Sequence, residues 1–406
     1  MYKNIKNLVF IVLLGALLLS ACASPTTAVS VPEQKPATVV VEVTRIVAGT
    51  PEVQKVVVTA TPGPTEPAQP TPLPAGFVQI NGAGATFPLP VYTEWIFAYQ
   101  YVDASVTLNY QGIGSGGGKK GIIDGTVDFA GSDSLLSDAE YTSGKDLQMY
   151  PMLAGAVVPI YNVEGVTKTL TLSRDALVGI YNAKLTKWND PVLVELNPGI
   201  NLPDKNITVV HRSDGSGTTE MFTKALSAFS DDWKNTVGAG SSVEWPVDKA
   251  GTGIGGKGNQ GVAAAVQNTP NSIGYVELSY AISNKIAFAQ MVNKAGNTVK
   301  ADSKSLASAM ADFPQFSDKL TNTIVDGTGA DSWPIAGYTY IILHTTSMQD
   351  CLKAQKLLEF LNWALTDAGA AKRAADLGYA VLPDAVLTQV LAKLALVTCN
   401  GNPVLK

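Results

Sequence analysis

Apolar spacing divides the chain into three stretches. Residues 8–19 (LVFIVLLGALLL) form one unbroken apolar run behind Lys3 and Lys6, with small residues following at Ser20 and Ala21. That is the layout of a secretory signal over residues 1–21, too short and too weakly flanked to span a membrane stably. Residues 23–76 hold no sustained apolar period and carry ten of the 23 prolines. They read as a tether. From residue 77 onward, short β-type runs alternate with helical periods. FVQIN (77–81), SVTLNY (105–110), VDFAG (127–131), AGAVVPIYN (154–162), NITVV (206–210), IGYV (273–276) and TYIIL (339–343) predict strands. PLPVYTEWIFAYQYV (88–102), KKGIID (119–124), TTEMFTKALSAF (218–229), GVAAAVQN (261–268) and CLKAQKLLEFLNWALT (351–366) predict helices. The alternation predicts an α/β fold, with helices on both faces of mixed, mostly parallel sheets. About 330 residues is large for one such sheet, so two lobes are expected.

Within the tether, VVVEVTRIV (39–47) and VQKVVVTATP (53–62) look like a crude repeat. As strands they would have only Pro-rich segments beside them to pack against. A flexible coil of about 50 residues reaches roughly 40 Å, enough to hold the folded part away from a membrane surface. Leu19-Ser20-Ala21-Cys22 resembles the lipobox of bacterial lipoproteins, in which the Cys becomes the lipidated first residue. Cys22 is therefore expected to anchor the protein on the outer side of the cell membrane. The alternative is an ordinary signal peptide with a chance Cys. Composition narrows the field further. With 29 Lys+Arg against 34 Asp+Glu and no basic block, a nucleic-acid partner held by phosphate neutralisation is not expected. Two histidines and three cysteines cannot build a His-rich zinc site or a Cys₄ site. Cys351 and Cys399 either pair outside the cytoplasm or remain two buried thiols; the sequence leaves both open.

Three glycine-rich turns carry the candidate chemistry. They are Gly82-Ala83-Gly84-Ala85-Thr86-Phe87-Pro88, then Gln111-Gly112-Ile113-Gly114-Ser115-Gly116-Gly117-Gly118, then Arg212-Ser213-Asp214-Gly215-Ser216-Gly217-Thr218-Thr219. Each precedes a helix and offers a hydroxyl together with N–H donors at the positive end of a helix dipole, where anions bind. Arg212 adds a permanently charged, planar donor fork. Taken singly, each turn is also what ordinary capping looks like in any α/β protein. Three of them with an Arg point to one anion held by several helix ends. Gly112-x-Gly114-x-x-Gly117 passes for a dinucleotide fingerprint, and Gly256-x-Gly258-x-x-Gly261 matches it again. In a chain with 37 glycines such matches arise cheaply. No GxxxxGK[ST] loop exists, and Asp214 stands where a GxSxG elbow needs its first Gly.

These turns, with VDFAGSD (127–133), GKGNQG (256–261), IGYVELSYA (273–281), WPI (333–335) and LGYAVLP (377–383), resemble the PstS phosphate-binding proteins of bacterial ABC-type phosphate importers. The likeness runs collinearly across residues 77–400. It implies a periplasmic-binding-protein-like fold of two α/β lobes on a double-crossing hinge, with the ligand in the cleft. Lobe one would be 77–154 plus 336–406, and lobe two 155–335. The resemblance places phosphate contacts on Thr86, Phe87, Ser115, Asp133, Arg212, Asp214, Ser216, Gly217 and Thr218. Phe87, Ser216, Gly217 and Thr218 would offer backbone N–H groups, and Asp214 would hold the Arg212 guanidinium. Asp133 would accept the proton of HPO₄²⁻. Sulfate has no such proton, and the resulting clash of acceptors costs it on the order of several kcal/mol. His211 reads as a strand residue beside the site. The run Gly-Thr-Gly-Ile (251–254) reads as an insertion at the cleft rim. The reading implied is a monomeric, non-enzymatic receptor, without cofactor, that hands phosphate to a membrane permease. Alternatives are a binder of sulfate or molybdate, a phosphate sensor, or a secreted phosphatase. The last is disfavoured, because neither His211 nor His344 stands near a Ser-containing turn with a second base.

Overall fold

The computed structural model describes Thr38–Val47, Thr50–Thr59 and residues 77–405. The signal peptide, Cys22 and most of the tether lie outside these residues. The two Val-rich pieces form strands β1 (Thr38–Val47) and β2 (Thr50–Thr59), paired antiparallel from Val47 opposite Thr50 to Thr38 opposite Thr59. Rich in Val and Thr, the segments suit a pleated backbone, and each supplies the other's hydrogen-bonding partner.

Residues 77–405 fall within a single compact unit. Its strands are β3 (Val78–Gly84), β4 (Val106–Gly112), β5 (Phe129–Ser132), β6 (Leu147–Asn162), β7 (Thr171–Ser173), β8 (Thr208–Arg212), β9 (Gly253–Gly256), β10 (Ser272–Glu277), β11 (Gln290–Val292), β12 (Thr298–Val299), β13 (Ala336–His344), β14 (Ala380–Val381), β15 (Thr398–Cys399) and β16 (Asn402–Pro403). Nine of them form one sheet in the order β4-β3-β5-β13-β6-β10-β8-β9, with β14 also on β6. Pairing is parallel at both ends, among β4, β3 and β5 and among β10, β8 and β9. The centre is antiparallel, because β6 and β13 run against their neighbours. The run of Gly251–Ile254, expected as a rim insertion, leads into β9, an edge strand beside β8.

The long strand β6 joins the two ends. Its residues 147–156 pair with β13 and its residues 157–162 pair with β10. The sequence signal for this strand begins only at 154, because Pro151 interrupts the run. Pro151 sits at a register shift, where Leu153 faces Thr339 and Pro151 faces Tyr340. A bulge accommodates a residue that cannot donate to the ladder. On one side of β6 the strands come from 78–132 and 336–344, and on the other from 208–277. Near the C-terminal ends of β3, β4, β8 and β9 begin the helices Leu89–Tyr99, Ser115–Ile123, Gly217–Phe229 and Gly258–Asn268. The crevice at the carboxyl ends of such strands is where open α/β sheets bind ligands.

The pairing of Cys351 with Cys399, left open by the sequence, is settled by a disulfide closing a 48-residue separation. By loop-closure entropy such a link stabilises the fold by about 4 kcal/mol. It ties the β15–β16 segment to the start of the helix Cys351–Thr366.

Candidate functional site

Four helix starts meet in the crevice with two carboxylates, the buried Asp133 and the partly exposed Asp214. Thr86, in the turn after β3, is buried. Its hydroxyl oxygen accepts from the Asn259 backbone N–H at 3.1 Å and from Asn259 Nδ2 at 3.0 Å. Asn259 Nδ2 also donates to Thr218 Oγ1 at 3.1 Å. One fully buried amide from the fourth helix start thus joins the first turn to the third. The second turn approaches the third as closely. Gly116 N–H donates to Gly215 O at 3.0 Å, and Gly217 N–H to Ser115 Oγ at 3.1 Å. Gly217 is required by that approach, since a Cβ there would lie 2.5 Å from the Asp133 Cβ. Gly114, at φ +88°, faces the Asp214 carboxylate in the same way.

Arg212 ends β8 with its side chain buried. Nε and Nη2 grip Asp214 Oδ1 and Oδ2 at 2.7 and 2.6 Å, a bidentate fork. Asp214 Oδ1 also accepts from Gly258 N–H at 3.0 Å. Burial alone would push the Asp214 carboxyl up, but Arg212 and that N–H outweigh it and hold it below the usual range. The remaining guanidinium nitrogen, Arg212 Nη1, is buried and donates to no protein group. A buried cationic donor without an acceptor is costly, and an anion in the crevice satisfies it. His211, next in the strand, points elsewhere. Its ring stacks on Trp245 and contacts Asp248 Oδ1 at 2.8 Å, so it flanks the site.

Asp133 has the opposite environment. Its backbone N–H donates to Ser115 Oγ at 3.2 Å, and Oδ2 lies 3.5 Å from that oxygen. Oδ1 accepts from Thr339 Oγ1, on β13, at 2.7 Å. Desolvation raises its carboxyl to about 7, against the hydrogen bond from Thr339, the charge of Arg212 and the Ser115 hydroxyl. Of the backbone N–H groups expected to face a ligand, those of Ser216 and Gly217 are engaged within the protein, Gly217 with Ser115 as above. The Ser216 N–H donates to Ser241 O at 2.9 Å, and its hydroxyl oxygen caps the helix by accepting from Thr219 N–H at 3.0 Å. What Ser216 leaves for a ligand is its hydroxyl proton. Phe87 is buried in the core, and its carbonyl accepts from Tyr379 OH at 2.7 Å. Thr86 O accepts from Tyr280 OH at 2.5 Å. Because a trans peptide points C=O and N–H in opposite directions, Tyr280 orients the Phe87 N–H away from itself. Glu277, fully buried and raised by desolvation to about 8, lies 2.8 Å from Tyr379 OH behind this turn.

Sequence reasoning missed Asn259, Thr339, Tyr280 and the Glu277–Tyr379 pair. Thr339 reads as an ordinary β-branched strand residue, and Asn259 as a variable position of a glycine pattern. Among the described residues, no group of three or more His, Cys, Asp or Glu is placed to hold a metal ion.

A model of the PBP superfamily domain matches residues 48–368. The phosphate-binding protein PstS of Pasteurella multocida is 42% identical over 316 residues, covering 77% of this chain and 89% of that protein. This chain belongs to the PstS family. The phosphate-binding protein PstS of Methanocaldococcus jannaschii is 36% identical over 324 residues, covering 76% of this chain and 83% of that protein. The solved phosphate binding protein of Stenotrophomonas maltophilia shares the fold at a TM-score of 0.62 and 22% identity, over 80% of this chain and 97% of that one. The α/β binding-protein architecture expected from the sequence is therefore the one present.

Proposed function

We propose that this chain captures inorganic phosphate outside the cytoplasm and delivers it to an ABC-type phosphate importer. The observation that carries this reading is the buried Arg212 Nη1, without a protein acceptor, in a crevice that also presents one carboxyl outside the Arg212–Asp214 pair, Asp133. Donors alone would suit any oxyanion. A single added acceptor suits one that carries a proton, and the relatives named for phosphate agree with that choice.

In this reading Arg212 Nη1, the N–H groups of Phe87 and Thr218, and the hydroxyls of Thr86, Ser115, Ser216 and Thr218 surround the anion. Gly217 joins them by exchanging its Ser115 contact. Asp214 holds the guanidinium, and Asp133 takes the ligand's proton. Residues 77–154 with 336–406 act as one lobe and 155–335 as the other, hinged at β6 and at the entry to β13. Ligand contacts drawn from both sides favour the closed arrangement. Cys22 carries the lipid anchor, the tether gives reach, and the receptor works as a monomer without chemistry of its own.

The test is calorimetric titration of the full chain at pH 8, first with phosphate and then with sulfate. Phosphate binds one-to-one with a micromolar or tighter dissociation constant, about −8 kcal/mol or stronger, and sulfate gives no heat. Absence of phosphate binding to folded protein overturns the reading.

A further inference from the structure

We propose that Thr339 is a specificity-determining residue of this site: by donating its hydroxyl proton to Asp133 Oδ1, it keeps the Asp133 carboxylate an acceptor and turns Oδ2 toward the ligand. This rests on the phosphate reading above and names the group that makes its selectivity work.

Thr339 is fully buried on β13, and its hydroxyl lies 2.7 Å from Oδ1. A hydroxyl has one proton. When that proton goes to Oδ1, the carboxyl is anchored at one oxygen, and the other, beside Ser115 Oγ, remains an acceptor. The anchor is needed because the surroundings work against a charged carboxyl. Around Asp133 stand Glu220 on the third-turn helix, Glu277 beyond Asn259, and the buried phenols of Tyr92, Tyr110 and Tyr280. Arg212 is the cation whose charge acts on it, while Lys224, which lines the same cavity, is paired with Glu220 at 2.7 Å. Burial favours the neutral acid, and a neutral acid carries a proton it can donate. A donor at that position would welcome sulfate as readily as phosphate. Selectivity for a protonated oxyanion therefore depends on whatever keeps Asp133 ionised at working pH. Arg212 helps, but Asp214 already takes two of its nitrogens. Thr339 makes the short, direct hydrogen bond.

The arrangement also sets an acid limit. As pH falls and Asp133 takes a proton, sulfate begins to compete. Loss of Thr339 moves that onset to higher pH.

The experiment measures phosphate and sulfate dissociation constants from pH 5 to 9 for the full chain and for Thr339→Val, Thr339→Ser, Asp133→Asn and the Asp133→Asn/Thr339→Val double variant. In wild type, sulfate binding emerges as pH falls through about 7, where Asp133 takes its proton. In Thr339→Val the onset shifts upward, and the phosphate-over-sulfate ratio at pH 7 falls by about tenfold or more, the size of a lost hydrogen bond to a charged group. Thr339→Ser restores both. Asp133→Asn binds sulfate at every pH, and adding Thr339→Val to it changes the ratio no further. Thr339→Val that weakens both anions equally, with the sulfate onset unmoved, overturns the proposal and leaves Thr339 a packing residue. A wild type that binds no phosphate defeats the functional reading itself, so the two failures are distinguishable.

Discussion

Two carboxylates, the partly exposed Asp214 and the buried Asp133, stand in one crevice under contrasting control. Asp214 is locked in a bidentate pair with Arg212, with a third hydrogen bond from Gly258 N–H, and stays ionised well into acid. Asp133 has no cation in direct contact, only hydroxyls and one charge farther off, and its carboxyl is raised to about 7. The first acts as structure: it holds a fixed positive charge and leaves Nη1 without a protein acceptor; in the proposed function Nη1 faces the anion. The second, in the proposed function, reads the ligand's proton, from a position where acceptor and donor states are close in energy. One crevice thus combines an invariant attraction for anions with a conditional test of whether the anion carries a proton.

Removing the fixed charge breaks this comparison most severely. Arg212→Ala leaves the partly exposed Asp214 carboxylate without its cation and takes the guanidinium out of the crevice, so it should cost about 1–3 kcal/mol of stability. Phosphate affinity should fall about a thousandfold or more, read by calorimetry.

The pH dependence of stability without phosphate comes next. Asp133 and Glu277 are raised to about 7 and about 8, so the folded state holds protons that the unfolded chain releases. Their contribution is full below the ordinary carboxylate range near pH 4 and is lost as pH rises through about 7 and about 8. Asp214, held low, acts in the other window: its contribution is present above that range and lost as pH falls into acid. Stability should therefore decline from pH 5 to pH 9 by on the order of a few kcal/mol, read as a falling thermal midpoint. Asp133→Asn should flatten the neutral part of that slope and leave the acid side in place.

A smaller effect concerns discrimination at pH 8. Asp133→Asn should lower the phosphate-over-sulfate ratio about ten- to a hundredfold, because the amide offers sulfate a donor where the carboxylate offers only repulsion. Smallest is Tyr280→Phe, which frees the peptide that presents the Phe87 N–H. It should weaken phosphate and any other bound oxyanion alike by about tenfold, leaving the ratio unchanged. A change in the ratio there would mean that specificity is not confined to Asp133 and Thr339.

What was legible in the sequence divides along the same line. Arg212, Asp214 and Ser216–Thr218 are neighbours in the chain, and glycine, hydroxyl and helix period mark them together. The partners that finish the site are remote: Thr339 is 206 positions from Asp133, Tyr280 is 194 from Thr86, and Asn259 is 173 from Thr86. No local pattern encodes such pairings, and each residue has an ordinary local explanation. The sheet behaves similarly. Alternation of strand and helix exposed the parallel ends, because βα units are local. The antiparallel centre depends on β6 and β13 meeting across the chain, and Pro151 hid half of β6. Cys351 and Cys399 illustrate the remaining case, in which two outcomes were compatible with the sequence and only their apposition decided.

The most direct test of the central claim counts protons. Calorimetry of phosphate binding at pH 8.5, repeated in buffers of different ionisation enthalpy, gives the number of protons exchanged on binding. Free phosphate is then the singly protonated dianion, and ligand-free Asp133 is mostly ionised. If that carboxylate accepts the ligand's own proton, the complex needs no other, and net uptake is near zero. Uptake approaching one proton per phosphate would mean that Asp133 is protonated in the complex, and would contradict its role as the acceptor that reads the ligand.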